Sequence, residues 1–360
     1  MTRDIAESLE TGRLRNGENL KKFESMFAEY VGAKHAVAFD SDGNALETVL
    51  QHFNVKNHEV VVCTNSFISI PNSVAYAGGK VVFADIGEET LSMCHESLLE
   101  NISKDTCGVV VTHIAGFPNS DLREIGKICE EYELFLVEDA THAVGASING
   151  QKAGTFGDAA VFAFTPTKVL TTGEGGMLVT NDTELGEGAK RMRYYGSGQG
   201  KTEFVSLGRH MMLPEISAVL GIYQLRRIEE FIAKRNHIAE IYDTHFRGTE
   251  AFDIVTVPAS FRCSYYKYPL KLNPRIDKAK FVEVLDREYG VETGTVFYPP
   301  CHLQSLYRKH GVAVYRGGLS VSERVLSRTI TLPMHAALTD EDAEYVVESL
   351  NKALRGSHQQ

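Results

Sequence analysis

Short apolar runs alternate with segments of helical period through the first half of the chain. The runs are His35–Phe39, Glu59–Cys63, Lys80–Ala84, Gly108–His113, Leu134–Glu138, Ala159–Phe164 and Met177–Thr180. Each is too short for a helix and apolar on both faces, as expected of strands covered by helices on either side. Asn44–His52 reads as a helix. So does Asp121–Tyr132, where Leu122, Ile125, Ile128 and Cys129 fall at helical spacing. This alternation predicts an α/β unit built on a mostly parallel central sheet.

From Pro214 to Phe246 the pattern predicts one long helical region, with Ile216, Val219, Leu220, Tyr223, Ile228, Phe231 and Ile232 as its apolar positions. Beyond it lie a strand pattern over Ser264–Leu270, a helix over Lys278–Tyr289, a strand over Gly294–Phe297 and a helix over Asp340–Leu354. These predict a small C-terminal α/β domain. The expected division is a large domain over 1–235 and a small one over 236–360. No internal repeat or low-complexity segment interrupts the pattern.

Composition narrows the function classes. Of 360 residues, 43% are hydrophobic and 23% charged, which is ordinary for a folded chain with a sizeable core. The net charge of −10, with no basic run, argues against a nucleic-acid partner. No apolar run approaches the roughly 18 residues of a membrane span, and the charged opening Met1–Glu10 is not expected to act as a secretory leader. The six cysteines (Cys63, Cys94, Cys107, Cys129, Cys263, Cys301) form no C-x-x-C pair, so free thiols in a reducing cytoplasm are expected. No metal site is expected, since the thirteen histidines show neither H-x-x-x-H nor H-E-x-x-H spacing, and no G-x-S-x-G marks a serine hydrolase.

Three segments carry candidate chemistry. In Phe162–Gly176, Lys168 lies between a strand and a Gly/Thr-rich turn that leads back into a strand. Such a lysine can stand at the carboxyl edge of a sheet, where α/β proteins place ligands; a surface lysine on a tight turn has the same local sequence. Asp139 ends the apolar run Leu134–Glu138, where it can face a ligand or cap a helix beginning at Ala140. An acid there suits a pyridine cofactor, whose ring nitrogen it would keep protonated. Phe39–Leu46 reads strand, turn, helix start, a place where backbone amides can cradle phosphate or simply begin a helix.

Taken together, these motifs resemble the DegT/DnrJ/EryC1/StrS sugar aminotransferases, which are fold-type I pyridoxal-phosphate (PLP) enzymes. The resemblance rests on Ser8–Gly17, Phe23-Glu24, Tyr30–Gly32, Val110–Gly116, Glu138–Ala146, Phe164–Gly176, Tyr298–Gln304 and Leu332–His335. It implies catalytic roles for Lys168, as the cofactor-bearing lysine and proton carrier, and for Asp139, at the ring nitrogen. It also implies cofactor contacts from His142 near the ring oxygen, Phe67 on the ring face, and Gly43 and Asn44 at the phosphate. Arg193, Tyr298 and His302 become candidate substrate residues. The resemblance further implies a homodimer with its sites near the subunit boundary.

The chain departs from the family pattern in places. Ala163 replaces a phosphate-binding Ser five positions before the lysine, and Ser41-Asp42-Gly43 replaces Ser-Gly-Thr. Asp42, awkward beside a dianion, is expected to point away. In Leu207–Glu215, His210 and Met212 stand where relatives carry Asn and Arg. His210 is therefore the expected cofactor contact across the dimer, and no arginine of this loop is expected to recognise substrate. The implied reaction moves an amino group, from glutamate by family inference, to a keto- or aldehyde-sugar that is nucleotide-linked. The alternatives are a smaller carbonyl acceptor or a non-catalytic PLP-binding regulator.

Overall fold

In the computed structural model the described residues are 1–198, 202–309, 311 and 313–357. The core is an eight-stranded sheet in the order 35–39, 176–180, 159–163, 135–139, 106–112, 59–63, 80–84, 313–314. Only Gly176–Thr180 runs antiparallel to its neighbours. Alternate side chains along the strands feed separate cores. Ala36 and Ala38 join Phe162 under helices Glu18–Val31 and Glu215–Leu225, while Val37 and Phe39 join Val161 under helix Asp42–His52. This two-sided burial explains why the runs are apolar on both faces.

The expected long helix is two helices, Glu215–Leu225 and Ile228–Phe246, broken at Arg226–Arg227. The first packs on helix Glu18–Val31, and the second reaches across to helix Asp340–Ser357. One straight rod could not serve both cores. Glu215 also ties the start of the first helix to the chain start, accepting from the backbone N–H groups of Gly17 (2.7 Å), Asn19 (3.0 Å) and Leu20 (3.1 Å). These are orphan amides at a helix start, so Glu215 acts as a distant cap.

A second sheet, antiparallel, joins Phe252–Ile254, Tyr268–Leu272 and Thr329–Leu332. Helices Ile228–Phe246, Lys278–Tyr289 and Asp340–Ser357 cover it. The expected boundary at 235/236 falls inside helix Ile228–Phe246. Two cross-ties run back to the first part: Phe261–Arg262 pairs with Ser147–Ile148, and Ala313–Val314 extends the main sheet. The strand expected at Ser264–Leu270 begins only at Tyr268, and Gly294–Phe297 makes a single bridge, Gly294 to Thr331. Both shortfalls have one cause: these residues curl as loops toward the carboxyl edge of the main sheet. Among the described residues no helix is long and apolar enough to cross a membrane.

Candidate active site

The site forms where central strands end. Strand Phe135–Asp139 alternates its last two acids between faces. Glu138 turns one way, where its carboxylate faces His113 Nε2 at 2.8 Å and accepts from Gly154, Phe156 and Gly157 N–H. It holds a loop. Asp139 turns the other way and is 1% exposed. It accepts from the Thr112 hydroxyl (3.0 Å) and the Thr141 N–H (3.1 Å). No helix starts at Ala140, so Asp139 caps none.

Lys168 projects from the loop between strands Ala159–Ala163 and Gly176–Thr180. The loop is knotted by its own bonds: Phe164 N–H to Gly175 O (2.8 Å), Thr172 N–H to Phe164 O (3.0 Å) and the Thr171 hydroxyl to Phe164 O (3.0 Å). The lysine is half-buried, with Nζ 4.7 Å from the centre of the Tyr266 ring. Burial lowers its pKa to about 8, against the upward pull of Asp139 and Asp42 and with a small downward push from Lys267. Gly176 explains the next neighbour. A Cβ there would meet Asp42 N at 2.4 Å and Ser41 O at 2.5 Å, so glycine lets helix Asp42–His52 start hard against the lysine loop.

That helix is capped by Ser41, whose hydroxyl accepts from Asn44 N–H at 3.3 Å. Its amides at Asp42 and Gly43 precede the first intrahelical bond, Ala45 N–H to Ser41 O. Asn44 is less available than expected, because its amide serves the cap and its side chain binds Asp40 at 2.7 Å. The Asp42 carboxylate accepts from the Ser69 hydroxyl (3.1 Å) and faces the charges of Lys168 and Asp139. Burial raises its pKa, easing it toward the neutral form.

His142 is 3% exposed, in a turn rather than on a helix. Its Nδ1 accepts from Ala115 N–H at 3.1 Å, so Nε2 carries the proton. That Nε2 is buried without a partner. Burial, with Lys168 and Lys267 nearby, drives its pKa well down and keeps the ring neutral. An aromatic row passes through it: Phe67 to Phe297 (5.6 Å), Phe297 to His142 (5.4 Å), His142 to Tyr266 (4.3 Å between centres). The backbone around the row is unusual, with Ala115, Tyr265 and Phe297 all in the left-handed region at φ 56°, 46° and 55°. Such outliers concentrate where function requires them. Gly116, at φ 94°, lets the loop approach, since a Cβ there would meet Ser264 Oγ at 2.6 Å and Tyr266 N at 2.8 Å.

Other expected residues lie elsewhere. Arg193 is buried in an ion pair with Glu24 and donates to Ala38 O at 2.6 Å. Its guanidinium therefore holds the edge strand His35–Phe39 in place of a substrate. His302 is locked between Thr64 Oγ1 (2.5 Å) and Glu323 (3.1 Å). Tyr298 is exposed, with Lys278 Nζ 5.1 Å from its ring centre. His210 stands exposed beside Tyr195, 5.5 Å between rings. Met212 is core, packed with Phe164 and Leu213. The same loop also carries an arginine. Arg209 pairs with Glu47 at 2.9 Å and lines a cleft with Ser41, Gly43, Asn44 and Ser69. Sequence reasoning missed Tyr266, Lys267 and Phe297; a lysine within the aromatic run Tyr265–Tyr268 was the signal available.

A family model described as the DegT/DnrJ/EryC1/StrS aminotransferase family matches residues 1–351. The chain belongs to that family. Its members are PLP-dependent sugar aminotransferases, and the fold is that of fold-type I. The chain is 31% identical to the spore coat polysaccharide biosynthesis protein SpsC of Bacillus subtilis, over 98% of this chain and 94% of that one. It is 30% identical to dTDP-4-dehydro-2,3,6-trideoxy-D-glucose 4-aminotransferase of Saccharopolyspora spinosa, over 97% and 93%. Its structure superposes on Helicobacter pylori PseC, an aminotransferase of pseudoaminic acid biosynthesis, with TM-score 0.92, 28% identity and coverage of 99% and 96%. The residues present fit the cofactor of this family. A buried carboxylate, an orphaned neutral N–H on His142 and a lysine of lowered pKa match a ring nitrogen, a ring oxygen and an aldehyde in turn.

Proposed function

We propose that this transaminase moves an amino group from an amino acid, glutamate being the family's donor, to a keto- or aldehyde-sugar carried on a nucleotide. The observation that carries the reading is Lys168, half-buried among Asp139, Asp42 and Tyr266 with its pKa lowered to about 8. An amine of that kind is neutral often enough near physiological pH to attack a carbonyl and to pass a proton. PLP, when bound, supplies an electron sink next to the carbon that loses its proton.

The chain's own residues divide the remaining work. Lys168 holds the cofactor and then shuttles the proton. Asp139, desolvated and fixed by Thr112 and Thr141, keeps the ring nitrogen protonated. His142, whose Nε2–H has no partner, would donate to the ring oxygen, and Phe67 would lie against the ring. The amides of Asp42 and Gly43 would receive the phosphate, and burial shifts the Asp42 carboxyl in the direction of its neutral form. Arg209 at the cleft edge adds a positive charge there.

The partner arrangement is part of the proposal. Tyr195, Phe204, Val205 and Leu207 are all exposed on one segment, and Leu207 is 94% exposed. His210 adjoins it. We read this as the surface where a second copy closes the site, with His210 reaching that copy's cofactor. A stable monomer in sedimentation of the PLP-loaded enzyme at micromolar concentration would contradict it. The unpaired cysteines suit a reducing, cytoplasmic setting. Met212, which as a pocket residue would have favoured a small acceptor, is explained by core packing.

The test runs the reaction backwards. Nucleotide-linked amino sugars, and matching amino sugars without a nucleotide, are each mixed with PLP-loaded enzyme while the cofactor's absorbance is followed. Conversion to the amine form by a narrow set of nucleotide-linked compounds is expected. Equal or better conversion by the free amino compounds would overturn the nucleotide-sugar reading.

A further inference from the structure

Lys267 faces the aromatic row without an acid to balance it. Its Nζ donates to Thr295 O at 2.6 Å, a neutral acceptor. Two rings flank the ammonium, Tyr266 at 5.7 Å and Phe297 at 5.3 Å from their centres. The same two rings flank His142, and Tyr266 is also the ring beside Lys168. The ammonium therefore shares its walls with the cofactor-facing residues.

Lys168, on the same Tyr266 ring, has Asp139 and Asp42 as acidic neighbours, and Arg235 spends its guanidinium on the carbonyls of Tyr265 and Met334. Among the described residues Lys267 forms no ion pair, and burial alone depresses its pKa. Its charge is felt by both Lys168 and His142. Ring faces attract a cation but do not neutralise it, and an ammonium has three N–H donors to place. A partly desolvated charge held this way is complemented by an anion that arrives with substrate.

We propose that Lys267 is the carboxylate-binding residue of this site, and that its ligand is the α-carboxylate of the amino donor. This rests on the transaminase reading above. Any α-amino acid carries its carboxylate on the same carbon as the amine that Lys168 must handle, so a cation beside Lys168 serves every such donor. In the other half of the cycle the same N–H groups meet sugar hydroxyls. An acidic sugar is the other possible source of a carboxylate, and the test separates the two.

Calorimetry on PLP-loaded enzyme would compare three probes: 2-methylglutamate, which has no α-proton to lose; its α-carboxamide; and glucuronate. The wild type is expected to bind 2-methylglutamate at least about tenfold more tightly than the carboxamide, as a charge-assisted contact should. Lys267→Met should erase that contrast, and Lys267→Arg should restore part of it. Equal affinity of the wild type for acid and amide overturns the proposal without reference to any variant. So does a contrast that survives in Lys267→Met. Loss of glucuronate binding alone in Lys267→Met would move the carboxylate to the acceptor and overturn the donor assignment. Failure of wild-type enzyme to take up PLP, seen by absorbance, would instead sink the transaminase reading.

Discussion

Arg193 separates a binding role from a structural one, because sequence pattern favours the first and the structure the second. The perturbation is Arg193→Met, which keeps the apolar stem and removes the charge. Glu24 would then be left buried. Its side chain is 11% exposed, and its remaining neighbour is the Ala38 N–H, which it accepts at 2.9 Å. Removing one partner of a buried pair costs about 3–5 kcal/mol. The surviving bond to Ala38 puts this case near the lower figure. Unfolding entropy of about 2.1 cal/mol/K per residue, over 360 residues, makes about 3 kcal/mol equal to a fall in Tm of about 4 °C if the chain unfolds as one unit. Scanning calorimetry of the cofactor-free protein reads that shift directly. The double variant Arg193→Met/Glu24→Gln should recover most of it, since no charge is then stranded. The KM for the acceptor should stay within about twofold, as expected of a residue that meets no substrate. An unchanged Tm together with a tenfold higher KM would refute the structural assignment and return Arg193 to the substrate.

Three further outcomes are expected. In cofactor-free protein the Lys168 amine, lowered to about 8, should gain neutral form as pH rises through that value; its rate of labelling by an amine reagent should climb about fivefold from pH 7 to 8 and level off by about pH 9. A rate still rising about sevenfold between pH 9 and 10 would show an ordinary lysine. Borohydride reduction of the PLP-loaded enzyme should place the pyridoxyl group on Lys168 in a peptide map, and an adduct on any other lysine would remove it from the mechanism. Asp139→Asn, which keeps shape and loses charge, should retain PLP yet lose about two orders of magnitude or more in turnover; near-normal turnover would leave Asp139 a purely structural acid.

The legible parts of this protein are those whose cause is local. His35–Phe39, Glu59–Cys63 and Lys80–Ala84 match their expected limits residue for residue, because each β-branched or apolar run is bounded by polar or turn-forming residues. Lys168, Asp139 and His142, which the fold brings near one another, stand out in the sequence because each sits in a short motif with its neighbours. Arg193 and His302 were not legible in this way, because what decides their roles lies far along the chain: Glu24 is 169 residues from Arg193, and Thr64 is 238 from His302. Tyr266, Lys267 and Phe297 were missed for a different reason. Their β-rich sequence reads as strand, but left-handed residues at Tyr265 and Phe297 break the extended path and turn the side chains toward the site. The break at Arg226–Arg227 was hidden because apolar spacing continues across it.

The strand Ala313–Val314 sets the order in which this protein can be completed during synthesis. It pairs with Val81–Val82, more than two hundred residues upstream, and Arg316 then clasps Glu59. Until that stretch leaves the ribosome, strand Lys80–Ala84 is the raw edge of a parallel sheet, a ready template for another chain. Contacts of such long span form slowly. A nascent chain stalled before residue 313 would therefore present a sticky border, and a truncation that keeps Lys168, Asp139 and His142 but stops short of Ala313 should precipitate rather than yield a minimal enzyme.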